Sequence, residues 1–501
     1  MLKQDQRLYI ASAQGREIDL EAAMANRHGL VAGATGTGKT VTVQNLAESF
    51  SALGVPVFIT DVKGDLAGLS QPGQPGGGLA ERIRQLNLPE AGYRNQAYPV
   101  CFWDVFGQSG HPLRATVSSL GPLLFSRLLD LNEVQSGVMH LIFRIADDQG
   151  LWLLDLKDLR SLAAYAGDNP GQFKTAYGNI SAASVGAIQR GLVRLEEEGA
   201  GNFFGEPSMR LEDLFLNDLG GRGLIHILAA EGLMKSPRLY AAVLLWLLSE
   251  LFENLPEVGD RPRPRLILIF DEAHLLFNDA PAAFTAKMEQ VVRLIRSKGV
   301  GLYFCTQSPA DLPDSLLAQL GNRVQHALRA FTPKEQKAVR TAAQTFRPNP
   351  AFHTEEAIGA LGVGEALLSF LDARGVPDMV ERGLILPPES RVGAVSPEER
   401  RATISASRLA GRYDQAVDRD SAYEMLDRRL AQTRPEAESA PAAKTAGRET
   451  QKRAPREARE NHDLLGSMFK SAANQVSRTI GREVGRSILR GILGGLFGGR
   501  R

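Results

Sequence analysis

The chain has 501 residues, of which 43% are hydrophobic, with 58 lysines and arginines against 57 aspartates and glutamates. This length fits one large domain with insertions or roughly two to three ordinary domains, and the apolar content is that of a globular protein with a large core. The formal net charge of +1 excludes both a polybasic nucleic-acid coat and a polyacidic chain. Any site for a charged partner must therefore be local.

The compartment is indicated by the cysteines and by the apolar segments. The two cysteines, Cys101 and Cys305, have no neighbours at metal-ligand spacing, which is typical of buried thiols in a reducing environment. The first residues lack the apolar core of a signal peptide. The longest apolar run, at residues 239–252, contains Glu250 and is too short to span a bilayer. We therefore predict a cytoplasmic protein.

The first strand–helix unit carries the clearest chemical signal. The stretch "GATGTGKT" at residues 33–40 fits the P-loop pattern G-x-x-x-x-G-K-[ST], with an apolar strand before it and helical spacing after it. Such a loop turns backbone N–H groups toward phosphate oxygens, while Lys39 binds the β- and γ-phosphates and Thr40 binds Mg²⁺. The predicted nucleotide-binding residues are Gly33, Ala34, Thr35, Gly36, Thr37, Gly38, Lys39, Thr40 and Val41.

The next strands indicate the fold class. Within residues 54–65 an apolar strand signal ends at Asp61, and residues 98–105 carry a second strand signal. Fully apolar strands alternating with helices predict an α/β core with a mainly parallel sheet that is covered on both faces. Asp61 either supports the waters of Mg²⁺ or pairs with Lys63, or it only forms a turn.

The middle of the chain is predicted to be helical before strand signals return. Apolar residues recur at spacings of three and four through much of residues 107–218, which predicts a helical insertion. Apolar strand signals then return at 223–228, 265–270, 300–307 and 323–328.

One of these later strands ends on a pair of acids. In "RLILIFDEAH", the apolar run is followed by Asp271 and Glu272. The carboxyl ends of parallel strands form the ligand-binding edge of an α/β sheet. We therefore predict that Asp271 holds the hydrated Mg²⁺ and that Glu272 polarises the attacking water, although Glu272 could instead cap the next helix.

Two further groups complete the predicted catalytic set. Gln307 ends the next apolar strand, where a carboxamide can contact the γ-phosphate or orient the water, or bind only its own loop. Phosphoryl transfer also needs an arginine, often from a neighbouring subunit. Arg323 is our first choice, because it starts the strand that follows the loop carrying Gln307. Arg293, Arg296 and Arg329 are the other candidates.

The last hundred residues differ in composition. Residues 397–433 are charged and helical in pattern, and 434–462 are rich in alanine, proline and charge, which predicts a disordered linker. In residues 463–501 an arginine stripe opposes an apolar stripe at helical spacing, which predicts a basic amphipathic helix. Such a helix fits a membrane surface, a nucleic acid or a protein partner, or packs on its own domain or a neighbouring subunit.

These patterns divide the chain into six predicted segments. They are the first part of the ATPase core (1–106), the helical insertion (107–218), the second part of the core (219–396), the charged helical segment (397–433), the linker (434–462) and the C-terminal helix (463–501).

Several ordered blocks resemble one family. The blocks "NRHGLVAGATGTGKTVT", "DVKGDLAG", "FDEAHLLF", "TQSPADLPDSLLAQLGNRVQHALRAFTPKEQKAVR" and "GEALLSFLD" resemble the YjgR-type branch of the HerA-like ATPases, within the HerA–FtsK superfamily of P-loop motors. The resemblance covers residues 7–388.

The resemblance implies a RecA-like core that hydrolyses Mg²⁺-ATP and assembles as a homo-hexamer with shared active sites. It places Lys39 and Thr40 in the P-loop, Asp271 and Glu272 in the Walker B motif, and Gln307 at the sensor position. Relatives such as HerA and FtsK pump double-stranded DNA through the ring. About thirty residues precede the P-loop here, too few for the N-terminal β-barrel of HerA, which argues against a HerA-type nuclease partner.

Three functions follow as hypotheses. The first is a ring-shaped ATP-driven motor that translocates double-stranded DNA. The second is an ATPase of the type IV secretion kind, which moves or remodels protein and is held at a membrane or machine by residues 464–501. The third is a slow nucleotide-dependent assembly switch. Stimulation of ATP hydrolysis by DNA distinguishes the first from the other two.

Overall fold

A single twelve-stranded sheet forms the centre of the molecule. The computed structural model describes residues 1–3, 6–277, 282–330 and 332–433, so the predicted linker and C-terminal helix lie outside the described residues. The strand order is β2-β1-β12-β11-β10-β3-β9-β8-β4-β7-β5-β6. The strands are β1 Leu8–Ala13, β2 Arg16–Leu20, β3 Gly29–Ala32, β4 Val57–Asp61, β5 Val100–Asp104, β6 His111–Pro112, β7 Ile225–Ala229, β8 Leu266–Phe270, β9 Val300–Thr306, β10 Asn322–Gln325, β11 Glu365–Ser369 and β12 Glu381–Ile385.

Helices follow most of the parallel strands, and two more follow the last strand. They are α1 Lys39–Ala52, α2 Gly77–Gln85, α3 Val117–Leu128, α4 Glu133–Gln149, α5 Leu156–Asp168, α6 Pro170–Tyr177, α7 Ala182–Glu197, α8 Pro237–Asn254, α9 Ala282–Ile295, α10 Asp314–Leu317, α11 Pro333–Gln344, α12 Thr354–Gly359, α13 Pro397–Ala406 and α14 Ala422–Thr433. Of the helices in the described part of the chain, none combines the length and apolar character needed to cross a bilayer.

The predicted α/β class with a mainly parallel sheet is confirmed. All strands from β10 through β3, β9, β8, β4, β7 and β5 to β6 run parallel to their neighbours. Alternate residues of β8 pack into two different apolar cores, with Leu268 on one face of the sheet and Ile269 on the other. Helices cover both faces, which explains why the strands are apolar throughout. Both cysteines are buried, as predicted.

The other end of the sheet is antiparallel, which the sequence analysis did not anticipate. Strands β11, β12, β1 and β2 pair antiparallel in that order next to β10. They extend the sheet beyond the P-loop strand, and the turn that enters β11 brings Gly364 against the P-loop. The backbone N–H of Gly364 donates to the carbonyl of Thr37 at 2.9 Å.

Helices α3 to α7 lie between β6 and β7, within the segment interpreted as an insertion. Two features tie this helical layer to the sheet. His111 and Pro112 form the edge strand β6 beside β5, so the sheet extends into residues 107–218. The helical layer also shares one apolar core with the sheet, in which Met139 belongs to the same cluster as Trp103 and Leu268.

Residues 389–433, the C-terminal strap, cross from the P-loop helix to the helical layer. The strap begins against α1, where the carboxylate of Glu48 accepts hydrogen bonds from the backbone N–H groups of Glu389 and Ser390 at 2.8 and 2.9 Å. It then passes over β5, where the ring of Tyr413 packs edge-on against Trp103 with centroids 5.1 Å apart.

The far end of the strap is fixed to α5. The buried carboxylate of Asp158 accepts hydrogen bonds from the backbone N–H of Leu154 at 2.8 Å and of Tyr423 at 2.9 Å, and also from the Ser421 hydroxyl. Helix α14 follows and packs along α5. Because buried polar groups are expensive to leave unpaired, these contacts hold the strap firmly to the helical layer.

Candidate active site

The P-loop joins β3 to α1 and adopts backbone angles that favour glycine. Gly33, Gly36 and Gly38 have φ angles of 155°, 77° and 115°. A Cβ atom on Gly33 would lie 2.5 Å from the Cβ of His326, so the close packing of this strand also requires glycine. Helix α1 starts at Lys39 without a side-chain cap, which leaves its first N–H groups available to an anion.

The side chain of Lys39 lies inside the loop. Its ammonium group donates to the carbonyl oxygens of Gly33 at 2.6 Å and Ala34 at 3.1 Å, and the residue is 8% exposed. The positive charge is therefore held at the concave side of the loop, as the phosphate-binding prediction requires.

A buried histidine, which the sequence analysis did not identify, links two strands next to the P-loop to helix α1. One ring nitrogen of His326, Nδ1, lies 3.0 Å from the carbonyl of Glu365, and Nε2 lies 2.8 Å from the hydroxyl of Thr42 on α1. Burial lowers the pKa of His326 to about 4. The neutral ring must donate to the carbonyl from Nδ1, so Nε2 accepts from the hydroxyl. His326 thus joins β10, β11 and α1 beneath the loop.

Glu272 lies at the end of β8 in a strained conformation. Its φ and ψ angles are both 47°, a left-handed conformation that is uncommon for a residue with a side chain. Its Oε1 accepts a hydrogen bond from Lys63 Nζ at 2.6 Å, and Nε2 of Gln307 lies 3.4 Å from its Oε2. Burial raises the pKa of Glu272, but the hydrogen bond and charge of Lys63, the largest opposing contributions, bring it below its usual value.

The neighbouring acid, Asp271, is also largely buried. Its backbone N–H donates to the hydroxyl of Thr60 at 3.0 Å, which fixes the end of β8 against β4. Burial, followed by the negative charge of Glu272, raises the pKa of Asp271 to about 6. A divalent cation would relieve this repulsion, which is consistent with the predicted magnesium role.

Asp61 adopts the turn-forming role that the sequence left as an alternative. Its carboxylate accepts hydrogen bonds from the backbone N–H groups of Gly64 at 2.8 Å and Leu66 at 3.2 Å. Burial and the nearby charges of Asp65 and Asp271 raise the pKa of Asp61 to about 7. Lys63 pairs with Glu272 rather than with Asp61.

Asp65 is an acid of this site that the sequence analysis missed. Its Oδ2 accepts a hydrogen bond from the Thr40 hydroxyl at 3.3 Å. Its Oδ1 is buried and has no hydrogen-bond partner among the described residues. A buried carboxylate oxygen without a partner, beside the predicted Mg²⁺-binding hydroxyl, fits the ligand chemistry of a hard divalent cation or one of its waters.

Arg323, our choice for the catalytic arginine, does not lie at this edge of the sheet within its own chain. Its guanidinium donates to the carbonyl oxygens of Leu320 at 2.9 Å and Leu317 at 3.0 Å, and also to that of Thr345. In the parallel pairing of β10 with β3, Arg323 lies opposite Leu30, near the start of the strand, whereas the P-loop follows its end. Within the chain Arg323 therefore makes structural contacts, and its action on the site of a neighbouring subunit stays a prediction.

The family is identified by comparison with known proteins. A family model described as "Helicase HerA-like C-terminal" matches residues 6–501. The chain belongs to this HerA-like family. The resemblance drawn from the sequence blocks is therefore confirmed at the level of the family. None of the curated protein sequences matches the chain.

Solved structures similar to this HerA-like chain include a plasmid coupling protein and VirB4. The plasmid coupling protein TrwB in complex with the non-hydrolysable GTP analogue GDPNP has 15% sequence identity and a TM-score of 0.49, over 75% of this chain and 89% of TrwB. VirB4 of Thermoanaerobacter pseudethanolicus has 15% identity and a TM-score of 0.48, over 79% of this chain and 99% of VirB4. TrwB has also been solved in complex with ADP and Mg²⁺.

In the HerA-like chain a cavity of about 810 Å³ opens beside the P-loop. It is lined by Thr35 and Thr37 of the loop, by Arg329 after β10, by His353 before α12 and by Val363 before β11. It lies on the β10 side of β3, whereas the acids lie on the other side, beyond β9. The site therefore has the acidic residues on one side of the P-loop and the cavity on the other.

Proposed function

We propose that this HerA-like chain hydrolyses ATP with Mg²⁺ and uses the energy to translocate double-stranded DNA. The observation that carries the proposal is the convergence of the P-loop and Glu272 at one edge of the parallel sheet, where Gln307 approaches the Glu272 carboxylate to 3.4 Å. The polymer is inferred from the family description, which is that of a helicase.

In this proposal Lys39 and the N–H groups at the start of α1 bind the phosphates of ATP. Thr40 and Asp271 would hold Mg²⁺, and the unpartnered oxygen of Asp65 supports the same placement. Bound Mg²⁺ neutralises charge on the β- and γ-phosphates. Glu272 orients and deprotonates the attacking water, and Gln307 would contact the γ-phosphate or that water.

The nucleoside part of ATP is proposed to occupy the cavity beside the P-loop. The acids and their cation lie on the β8 side of the loop, so the γ-phosphate points that way. The base and ribose must then extend toward β10, where the cavity opens and His353 and Arg329 provide polar groups. Pockets of this size commonly bind molecules as large as a nucleoside.

Filling the cavity should weaken ATP binding. Val363 lines it, and the residue is 71% exposed, so Val363→Trp adds bulk there without disturbing a core. We expect KM for ATP to rise about tenfold, with little change in kcat. A matched control is Val376→Trp at a 43% exposed position in the turn after β11. Equal KM values for the two variants would show that the nucleoside binds elsewhere.

The polymer is tested by the steady-state ATPase rate with and without long double-stranded DNA. We expect DNA to raise kcat severalfold and the effect to weaken at high salt, since phosphate contacts are screened. A rate that is indifferent to DNA would contradict the DNA proposal and favour a protein substrate or a slow switch. Sedimentation with ATP present tests the homo-hexamer that the family resemblance implies.

A further inference from the structure

A lysine from the loop after β4 contacts the glutamate that is proposed to act on water. Lys63 follows β4, and its ammonium lies 2.6 Å from Oε1 of Glu272. The Glu272 side chain is 5% exposed, whereas the Lys63 side chain is 47% exposed. The contact therefore has one end inside the active site and the other open to solvent.

This contact occupies one oxygen of the carboxylate that is proposed to act on water. Oε1 of Glu272 accepts from Lys63, while Oε2 faces Gln307 at 3.4 Å and His274 Nδ1 at 3.4 Å. Orienting a water for attack requires a free lone pair on this carboxylate. With Lys63 in place, Oε1 is directed to an ammonium group rather than to water.

Lys63 can leave Glu272 without disrupting its own loop. Among the described residues, the Lys63 side chain donates a hydrogen bond to Glu272 alone. The loop backbone is held separately, because the N–H groups of Gly64 and Leu66 donate to Asp61. The Lys63 side chain can therefore move while the backbone of its loop stays in place.

We propose that Lys63 is a positioning residue that restrains Glu272, and that a phosphate group competing for the ammonium releases the carboxylate for catalysis. The proposal rests on the hydrolytic role proposed for Glu272. Phosphate oxygens are the chemistry that an exposed lysine ammonium recognises. They come either from the γ-phosphate of the bound nucleotide or from the backbone of the DNA that the motor moves.

The test is the pair Lys63→Met and Lys63→Arg, assayed for kcat and KM with ATP and Mg²⁺, with and without long double-stranded DNA. We expect Lys63→Met to raise the DNA-free kcat about fivefold at unchanged KM, the effect of losing an ion pair that is half open to solvent. Lys63→Arg keeps the positive charge, so we expect it to restrain Glu272 as the wild-type lysine does. Lys174→Met on α6, an exposed lysine of the helical layer, is the matched control.

The DNA arm identifies the source of the phosphate. If Lys63→Met is fast without DNA and gains nothing from it, the DNA backbone is the releasing group. If the variant is fast and DNA stimulates it by the wild-type factor, the DNA backbone is not the releasing group. The γ-phosphate then competes for Lys63 only in part, and the variant removes the restraint that is left.

Other outcomes overturn the inference. A Lys63→Met rate equal to the wild type, or below it, with the wild type active and the unfolding midpoint unchanged, would show that Lys63 does not restrain Glu272. An inactive wild type would overturn the proposed function itself, and the inference with it, so the two failures are distinguishable.

Discussion

Glu272→Gln should lower kcat for ATP hydrolysis by about 100-fold or more while leaving ATP binding intact, because a general base is worth roughly 10²–10⁴ in rate. The carboxamide fills the same space at the end of β8 but cannot accept a proton from water. Phosphate release at saturating ATP measures kcat, and the affinity for a fluorescent ATP analogue measures binding.

The matched control for this variant is Glu231→Gln. Glu231 follows β7 on the same edge of the sheet and is exposed, so it tests whether any negative charge near the site matters. We expect it to retain the wild-type rate. A Glu272→Gln rate within twofold of the wild type would mean that another group activates the water.

Lys39→Ala should abolish detectable nucleotide binding and reduce hydrolysis by about 100-fold or more. The ammonium is the positive side-chain charge held inside the P-loop, against the carbonyls of Gly33 and Ala34. Calorimetric titration with ATP and Mg²⁺ measures the loss of binding.

Lys39→Arg is an informative companion to the alanine variant. The site is nearly closed to solvent, and a planar guanidinium does not fit where a compact ammonium contacts two carbonyls, so we expect it to be inactive as well. Circular dichroism checks that both variants remain folded. A folded Lys39→Ala protein that binds ATP like the wild type would show that the P-loop does not bind the phosphates.

The parts of the site that were predictable lie within short stretches of sequence. The P-loop combines its glycines, Lys39 and Thr40 in one turn, and Asp271 and Glu272 follow directly on an apolar strand. Local backbone rules suffice for such motifs, because the strand end places the residues at the sheet edge. The parallel α/β core was predictable for the same reason.

The parts that were missed depend on contacts between distant segments. His326 reaches Thr42 and the strand β11 only after β10 pairs beside β3, and sequence spacing does not encode that register. Asp65 becomes relevant only because its turn meets Thr40. Arg323 lies near the start of β10, away from the P-loop of its own chain, because β10 runs parallel to β3.

The antiparallel strands were missed for a different reason. Strand β2, with the sequence REIDL, is partly exposed and mixes charged with apolar residues, so it lacks a continuous apolar run. Its pairing with β1 supplies the stability that its own pattern does not indicate.

The C-terminal strap limits how the P-loop helix can move. Glu48 lies on α1, about two and a half turns after Lys39, and its hydrogen bonds to Glu389 and Ser390 of the strap are buried. A displacement of α1 by more than a fraction of an ångström must therefore either break these bonds or pull the strap along. The strap also contacts Asp158 of α5, so we expect a displacement of the P-loop helix to be passed on to the helical layer.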